Sequence, residues 1–158
     1  MALPQGDLGL LDTDTAKVLL ASTLPARLAY TWTDGTPRVV PIWFHWTGDE
    51  MVMASMTTAP KVKALAQHPD VAITIDTEGF PHDVLLVRGP AAITSIDGVV
   101  PEYALAATRY LGDDGGAAFL TQFDGPGVAM TRIAVRPTWV GLLDFQTRFP
   151  SAIGGVIG

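Results

Sequence analysis

The chain contains no cysteine in its 158 residues. That excludes a disulfide framework, a zinc–thiolate site, an iron–sulfur cluster and a thiol nucleophile, and it is compatible with a reducing compartment. Charge is scarce as well: Asp, Glu, Lys and Arg make up 16% of the residues, against about 25% in an average globular domain. A small domain with few charges has surface to hide, and a partner subunit is the simplest cover. Long apolar runs are missing, and none approaches the ~18 residues that a membrane-spanning helix requires. The opening stretch MALPQGDLGLLDTD has no basic segment followed by an apolar one, so it does not read as a secretory signal. Ten Lys and Arg face sixteen Asp and Glu, for a net charge of −6. Such a balance argues against nucleic acid or an anionic membrane as the main partner. The expectation is a soluble, cytoplasmic protein.

Several catalytic constellations are also absent. The sequence has no Gly-x-Ser-x-Gly elbow, no phosphate-cradling P-loop and no Gly-x-Gly-x-x-Gly. Its histidines, His45, His68 and His82, stand apart without metal-ligand spacing. The acidic residues are dispersed, and the Asp113-Asp114 pair lacks the ligand count that calcium needs. No metal ligand and no catalytic side chain is therefore assigned, and a bound cofactor is expected to carry any reaction.

What is present reads mainly as strands. The length suits one domain over residues 1–158, with a core at about 14–146 and a Gly-rich tail from Ser151 expected to fray. A helix is predicted from Asp14 to Thr23, with Thr13 or Asp12 as its cap and Pro25 as its stop. Alternation of Leu28, Tyr30 and Trp32 with Ala29, Thr31 and Thr33 predicts a strand from Arg27 to Thr33. Asp34-Gly35 predicts a type I′ hairpin turn, in which both central residues take positive φ. The return strand from Pro37 to Trp46 and a third from Met51 to Ser55 would complete an antiparallel meander. Pro41, which has no N–H to give, marks an edge or a bulge. A short helix from Pro60 to His68 follows, then strands from Val71 to Thr77 and from Val84 to Ile96, the latter kinked at Gly89-Pro90. A helix from Pro101 to Tyr110, weaker through Thr121, precedes the last strands, Val128 to Arg136 and Thr138 to Leu143. Strands outnumber helices and their joins are mostly too short for parallel crossovers. The expected fold is mainly β, an antiparallel barrel of six or seven strands with short helices inserted.

One segment carries chemistry: Ala54-Ser55-Met56-Thr57-Thr58-Ala59-Pro60-Lys61-Val62-Lys63-Ala64-Leu65. A strand end runs into hydroxyl residues and then into a helix start bearing lysines. Free N–H groups and the positive end of a helix dipole suit a phosphate, and a lysine adds charge. The competing reading is plain capping by Thr57 or Thr58 with solvated lysines. Lys61 and Lys63, two apart, cannot face one ligand from a helix, and Lys61 lies nearer the helix start.

The run Arg38-Val39-Val40-Pro41-Ile42-Trp43-Phe44, then Met51-Val52-Met53-Ala54-Ser55, then Lys61-x-x-x-Leu65-x-x-x-Pro69-x-Val71 resembles the core motif of the pyridoxamine 5′-phosphate oxidase-like, FMN-binding split-barrel superfamily. Val87-Arg88-Gly89, Arg136-Pro137-Thr138-Trp139-Val140 and Leu143-Asp144-Phe145 resemble its later strands. In detail the likeness is closest to the subgroup of flavin and deazaflavin (coenzyme F420) binders. The resemblance implies a split barrel acting as a homodimer, with FMN, or alternatively F420, held between subunits. It implies that Arg38 and Lys61 contact the cofactor phosphate and that Ser55, Met56 and Thr57 form the loop beside it. Val39, Val40, Pro41, Ile42 and Trp43 would lie along the isoalloxazine ring, and Trp139 would approach from the second subunit.

Departures from the family pattern narrow the function. Trp43 stands where many pyridoxamine-phosphate oxidases have a second basic residue, Ala59-Pro60 replaces their Ser-Arg, and Gln146-Thr147-Arg148 replaces their Arg-x-His. Vitamin B6 oxidation is not expected. The leading expectation is hydride transfer to or from a small organic substrate on bound FMN. A non-catalytic flavin or haem carrier, with His45 or His82 as the haem ligand, and a cofactor-free scaffold are the alternatives. Tyr30, Trp32, Trp43 and Trp46 are read chiefly as packing residues. Arg88 is expected to pair with Asp76 or Asp144.

Overall fold

A computed structural model of the chain describes residues 2–156. The first helix, α1 (Asp14–Ala21), is capped by the Thr13 side chain, which accepts from the Ala16 N–H. It ends two residues earlier than the sequence pattern predicts, where the Ser22 N–H turns back to the Leu19 carbonyl. Strands β1 (Ala26–Thr31) and β2 (Pro37–Ile42) pair antiparallel, with Tyr30 opposite Arg38 and Ala29 opposite Val39. Their turn departs from the expected type I′. Trp32 donates to Thr36 across three intervening residues, Gly35 donates to Trp32, and only Gly35 has positive φ (85°). This is the three-residue hairpin with a glycine bulge, and the Asp34 carboxylate holds it by accepting from the Thr36 N–H at 2.9 Å.

The expected meander is also broken. The second predicted strand stops at Ile42, and Trp43 and Phe44 leave the ladder before β3 (His45–Trp46) resumes it. β3 pairs with β4 (Met51–Met56), and β4 pairs on its other side with β7 (Ala129–Val135) and not with β2. β2 is thereby left at the sheet edge, where Pro41 costs no ladder bond.

β5 (Asp70–Asp76) joins β1 to β6 (Val84–Asp97). β6 organises the barrel. Its first half pairs with β5 on one side and β8 (Trp139–Leu143) on the other, and its second half pairs with β7. Ala91 lies opposite Val135 and Arg88 opposite Trp139, so three residues of one strand (136–138) face two of the other (89–90). That bulge bends the ribbon. Gly89 sits at the bend, and a Cβ there would run into the Arg136 carbonyl oxygen. The sheet order is β2-β1-β5-β6-β7-β4-β3, with β8 on β6. The result is an antiparallel split barrel of eight strands, the extra one being the two-residue β3.

Phe44, Leu28, Met51, Met53, Ile73, Ile75, Leu85 and Ile133 fill its core. A second cluster of Val52, Ala54, Val100, Met130 and Ala134 lies on the other face of β4. Both faces of β4 are thus buried, which explains its continuous apolar run. α2 (Pro60–Gln67) crosses between β4 and β5, and α3 (Pro101–Leu120) packs against β4 and β3. α3 takes in the weaker continuation the sequence predicts, but it is broken by Gly112 at φ 80°, so its second half folds back until Gly116 abuts Thr108. The tail does not fray through the described residues. Phe149 donates to the Gly155 carbonyl, and Arg148 bridges to Val156. No described helix is long and apolar enough to cross a membrane.

Candidate functional site

A groove of about 290 Å³ opens where the end of β2 meets α2 and α3. Val40, Pro41, Ile42 and Trp43 form one wall, Tyr103 and Phe119 of α3 another, and Lys61 stands at one end. Leaving the ladder after Ile42 is what releases Trp43 to turn towards α3. Its indole stacks on Tyr110 at 5.0 Å and 9°, and packs tilted against Phe119 at 5.3 Å and Tyr103 at 6.0 Å.

Neither Thr57 nor Thr58 caps α2. The N-cap is Ala59, which makes no side-chain hydrogen bond, and Pro60 takes the first turn. The Lys61 Nζ donates to the Ser55 hydroxyl at 3.1 Å across the β4–α2 loop. Its side chain is half-buried, and that burial pushes its pKa below the ordinary lysine value. Among the described residues no carboxylate lies within ion-pair distance of it. An ammonium has three donors, and only Ser55 is seen to use one. The capping part of the alternative is thereby set aside, since neither threonine makes the cap; Lys63 is exposed, and Lys61 only half-buried.

Other predicted residues lie outside this groove. Arg38 is exposed at the start of β2, donates to the Thr36 hydroxyl at 2.6 Å and the Pro37 carbonyl at 3.0 Å, and lies over the Trp32 ring at 5.5 Å. Val39 is 65% exposed on the opposite face of β2. Met56 ends β4 and is exposed, and Thr57 uses its N–H on the Ala129 carbonyl. Trp139 is distant along the sheet. One cross-strand row runs Val39–Ala29–Ala72–Arg88–Trp139. Four strand spacings of about 4.8 Å separate its ends, roughly 19 Å.

The expected pairing of Arg88 is not made. Asp76 is taken by Arg27. Asp144 accepts from the N–H groups of Gln146, Thr147 and Arg148 and from the Thr147 hydroxyl. Burial works against its ionisation, but these donors outweigh it and bring its pKa down to about 2. Arg88 instead lies over the Trp139 ring at 3.9 Å, a cation–π contact. Sequence reading missed Tyr103 and Phe119. The signal was there, because Tyr103 and Tyr110, seven apart, share one helix face. Among the described residues no group of three or more His, Cys, Asp or Glu is placed to hold a metal.

No family model and no curated protein matches the chain in sequence. Solved structures do match. An F420 reductase is 27% identical, covers 79% of this chain and 94% of its own, and superposes with a TM-score of 0.62. A Listeria innocua protein provisionally assigned as a pyridoxamine 5′-phosphate oxidase is 16% identical over 83% of this chain and 97% of its own, at 0.62. The fold is that of the pyridoxamine 5′-phosphate oxidase-like split barrels. Members of this split-barrel group differ in what they bind. A haem-binding protein from Mycobacterium smegmatis is 21% identical over 85% of this chain and 55% of its own, with a TM-score of 0.60.

Proposed function

We propose that this split barrel is a flavin-dependent oxidoreductase of small organic substrates, acting as a homodimer that holds FMN, or its deazaflavin relative F420, between subunits. The observation that carries the reading is the Lys61 ammonium, half-buried and bound to a single hydroxyl beside an aromatic groove. Desolvating a cation without a counter-charge is unfavourable, and an arriving phosphate reverses that cost. Lys61, Ser55 and the uncapped start of α2 would hold the phosphate, and Val40–Trp43 would lie along the ring system. β2 is an edge strand, so its outer row of backbone groups is free to meet a polar ring edge. When bound, the cofactor supplies the hydride chemistry. The chain's part is to orient it, exclude water and offer Trp43, Tyr103 and Phe119 as an apolar seat for a planar substrate. Trp139 does not line the groove of its own chain, and in this reading it would approach the cofactor from a second copy.

The test is titration of the purified protein with FMN and with F420, followed by mixing with NAD(P)H or reduced F420. Saturable binding of one cofactor, weakened roughly 10–100-fold by Lys61→Ala, is expected from loss of one charge-assisted contact. Arg38→Ala should do less, because its guanidinium is engaged beside Trp32. Binding of neither cofactor would overturn the proposal. Binding without reduction or reoxidation would leave a carrier in place of an enzyme.

A further inference from the structure

A cleft larger than the groove beside Lys61 lies elsewhere on the described structure. It holds about 520 Å³ and lies between the 3-10 turn Leu8–Asp12, α1, β3 and α3. The two clefts share no lining residue. This volume falls in the range of small-molecule sites, roughly 300–1,000 Å³. Leu8, Leu11, Leu20 and the Trp46 ring give it an apolar wall.

Its charge is unlike that of the chain as a whole. Lys17 and Arg109 face Asp12 alone, a local excess of positive charge in a chain of net charge −6. Among the described residues neither cation has a carboxylate within ion-pair distance. Arg109 is held by neutral partners: its Nε donates to the Ser22 carbonyl at 3.0 Å and its Nη2 to the Phe44 carbonyl. Its guanidinium lies over the Phe44 and Tyr110 rings at 4.8 and 4.9 Å. Those contacts fix its position without neutralising it. Burial and the Arg109 charge lower the His45 pKa, Glu102 pulling the other way, and the ring adds a polar edge to the same cleft.

We propose that this cleft is a second ligand site, for a small organic anion with an apolar or aromatic body. An inorganic anion would leave the leucine and tryptophan wall wet, and a neutral apolar molecule would bury it while leaving the guanidinium uncompensated. An amphipathic carboxylate or sulfonate satisfies both. The proposal stands whether or not the Lys61 groove holds a flavin.

The probe is 8-anilinonaphthalene-1-sulfonate, with the uncharged N-phenyl-1-naphthylamine as its twin. Titration should show one saturable site per chain, with energy transfer from Trp46 lost in Trp46→Phe. Lys17→Glu should weaken the sulfonate at least about tenfold and the neutral twin little. Ala21→Phe, which places a ring in the cleft, should remove both. Lys17 and Ala21 are exposed on α1, so both variants should melt with the parent, and that is checked first. Lys61→Ala should not change the affinity for the sulfonate. Sulfonate binding indifferent to Lys17→Glu and Ala21→Phe, or lost in Lys61→Ala, would overturn the assignment. Equal affinity for the two probes would overturn the anionic part of it.

Discussion

At the scale of single residues, the site turns on how charges are compensated. The Lys61 pKa is lowered by burial, so cofactor affinity should fall as pH rises, beginning below the ordinary lysine value of about 10.4. A binding titration from pH 7 to 10 checks this, and Lys61→Arg should move the fall out of range. Asp144 has the opposite sense. Its folded pKa is about 2 against a usual 3.8, so its stabilisation is fully present above the usual value and is lost as pH falls between the two. Asp144→Asn keeps shape but weakens acceptance from the Gln146, Thr147 and Arg148 N–H groups. It should cost about 1–2 kcal/mol in a denaturant melt at neutral pH, with the difference narrowing towards pH 2. That Lys61 and Ser55 stand close together was legible in the sequence, because one short loop sets their spacing. Arg38 and Trp139 were not, since their positions depend on cross-strand partners that only the folded sheet supplies.

At the scale of elements, most helices and strands could be read from periodicity and turn residues, and the misreadings share a cause. The Asp34-Gly35 turn was identified but not its length, because one glycine suffices when Asp34 caps the loop with its carboxylate. The false meander arose because an apolar run does not say which strand it will pair with. Trp43 and Phe44 leave the ladder for tertiary reasons, the first to stack on Tyr110 and the second to fill the core. Glycine context gives a sharp test. Gly89→Ala should destabilise by about 1–3 kcal/mol, since the new methyl group meets the Arg136 backbone and not a yielding side chain. Gly79→Ala, where a Cβ meets nothing within 4 Å, should stay within about 0.5 kcal/mol of the parent. Paired thermal melts decide it.

At the scale of the whole molecule, the face of β2-β1-β5-β6-β8 that carries Val39, Ala29 and Ala72 also carries Arg27, Asp70, Asp76 and Arg88, with Arg27 and Asp76 paired to each other. The proposed dimer would bury this face and bring Trp139 to its partner's groove. Light scattering at micromolar concentration should give twice the 16.7 kDa chain mass. Ala72→Glu should shift it towards monomer and lower cofactor affinity together, because one contact surface would serve both. The bent strand β6 has a consequence of a different kind. It is the ladder partner of β5, β7 and β8 at once, so one continuous strand ties the two halves of the barrel together. The slowest-exchanging amides should lie along its 14 residues and share one opening free energy from end to end. The barrel is split in shape, but it should unfold as a single unit.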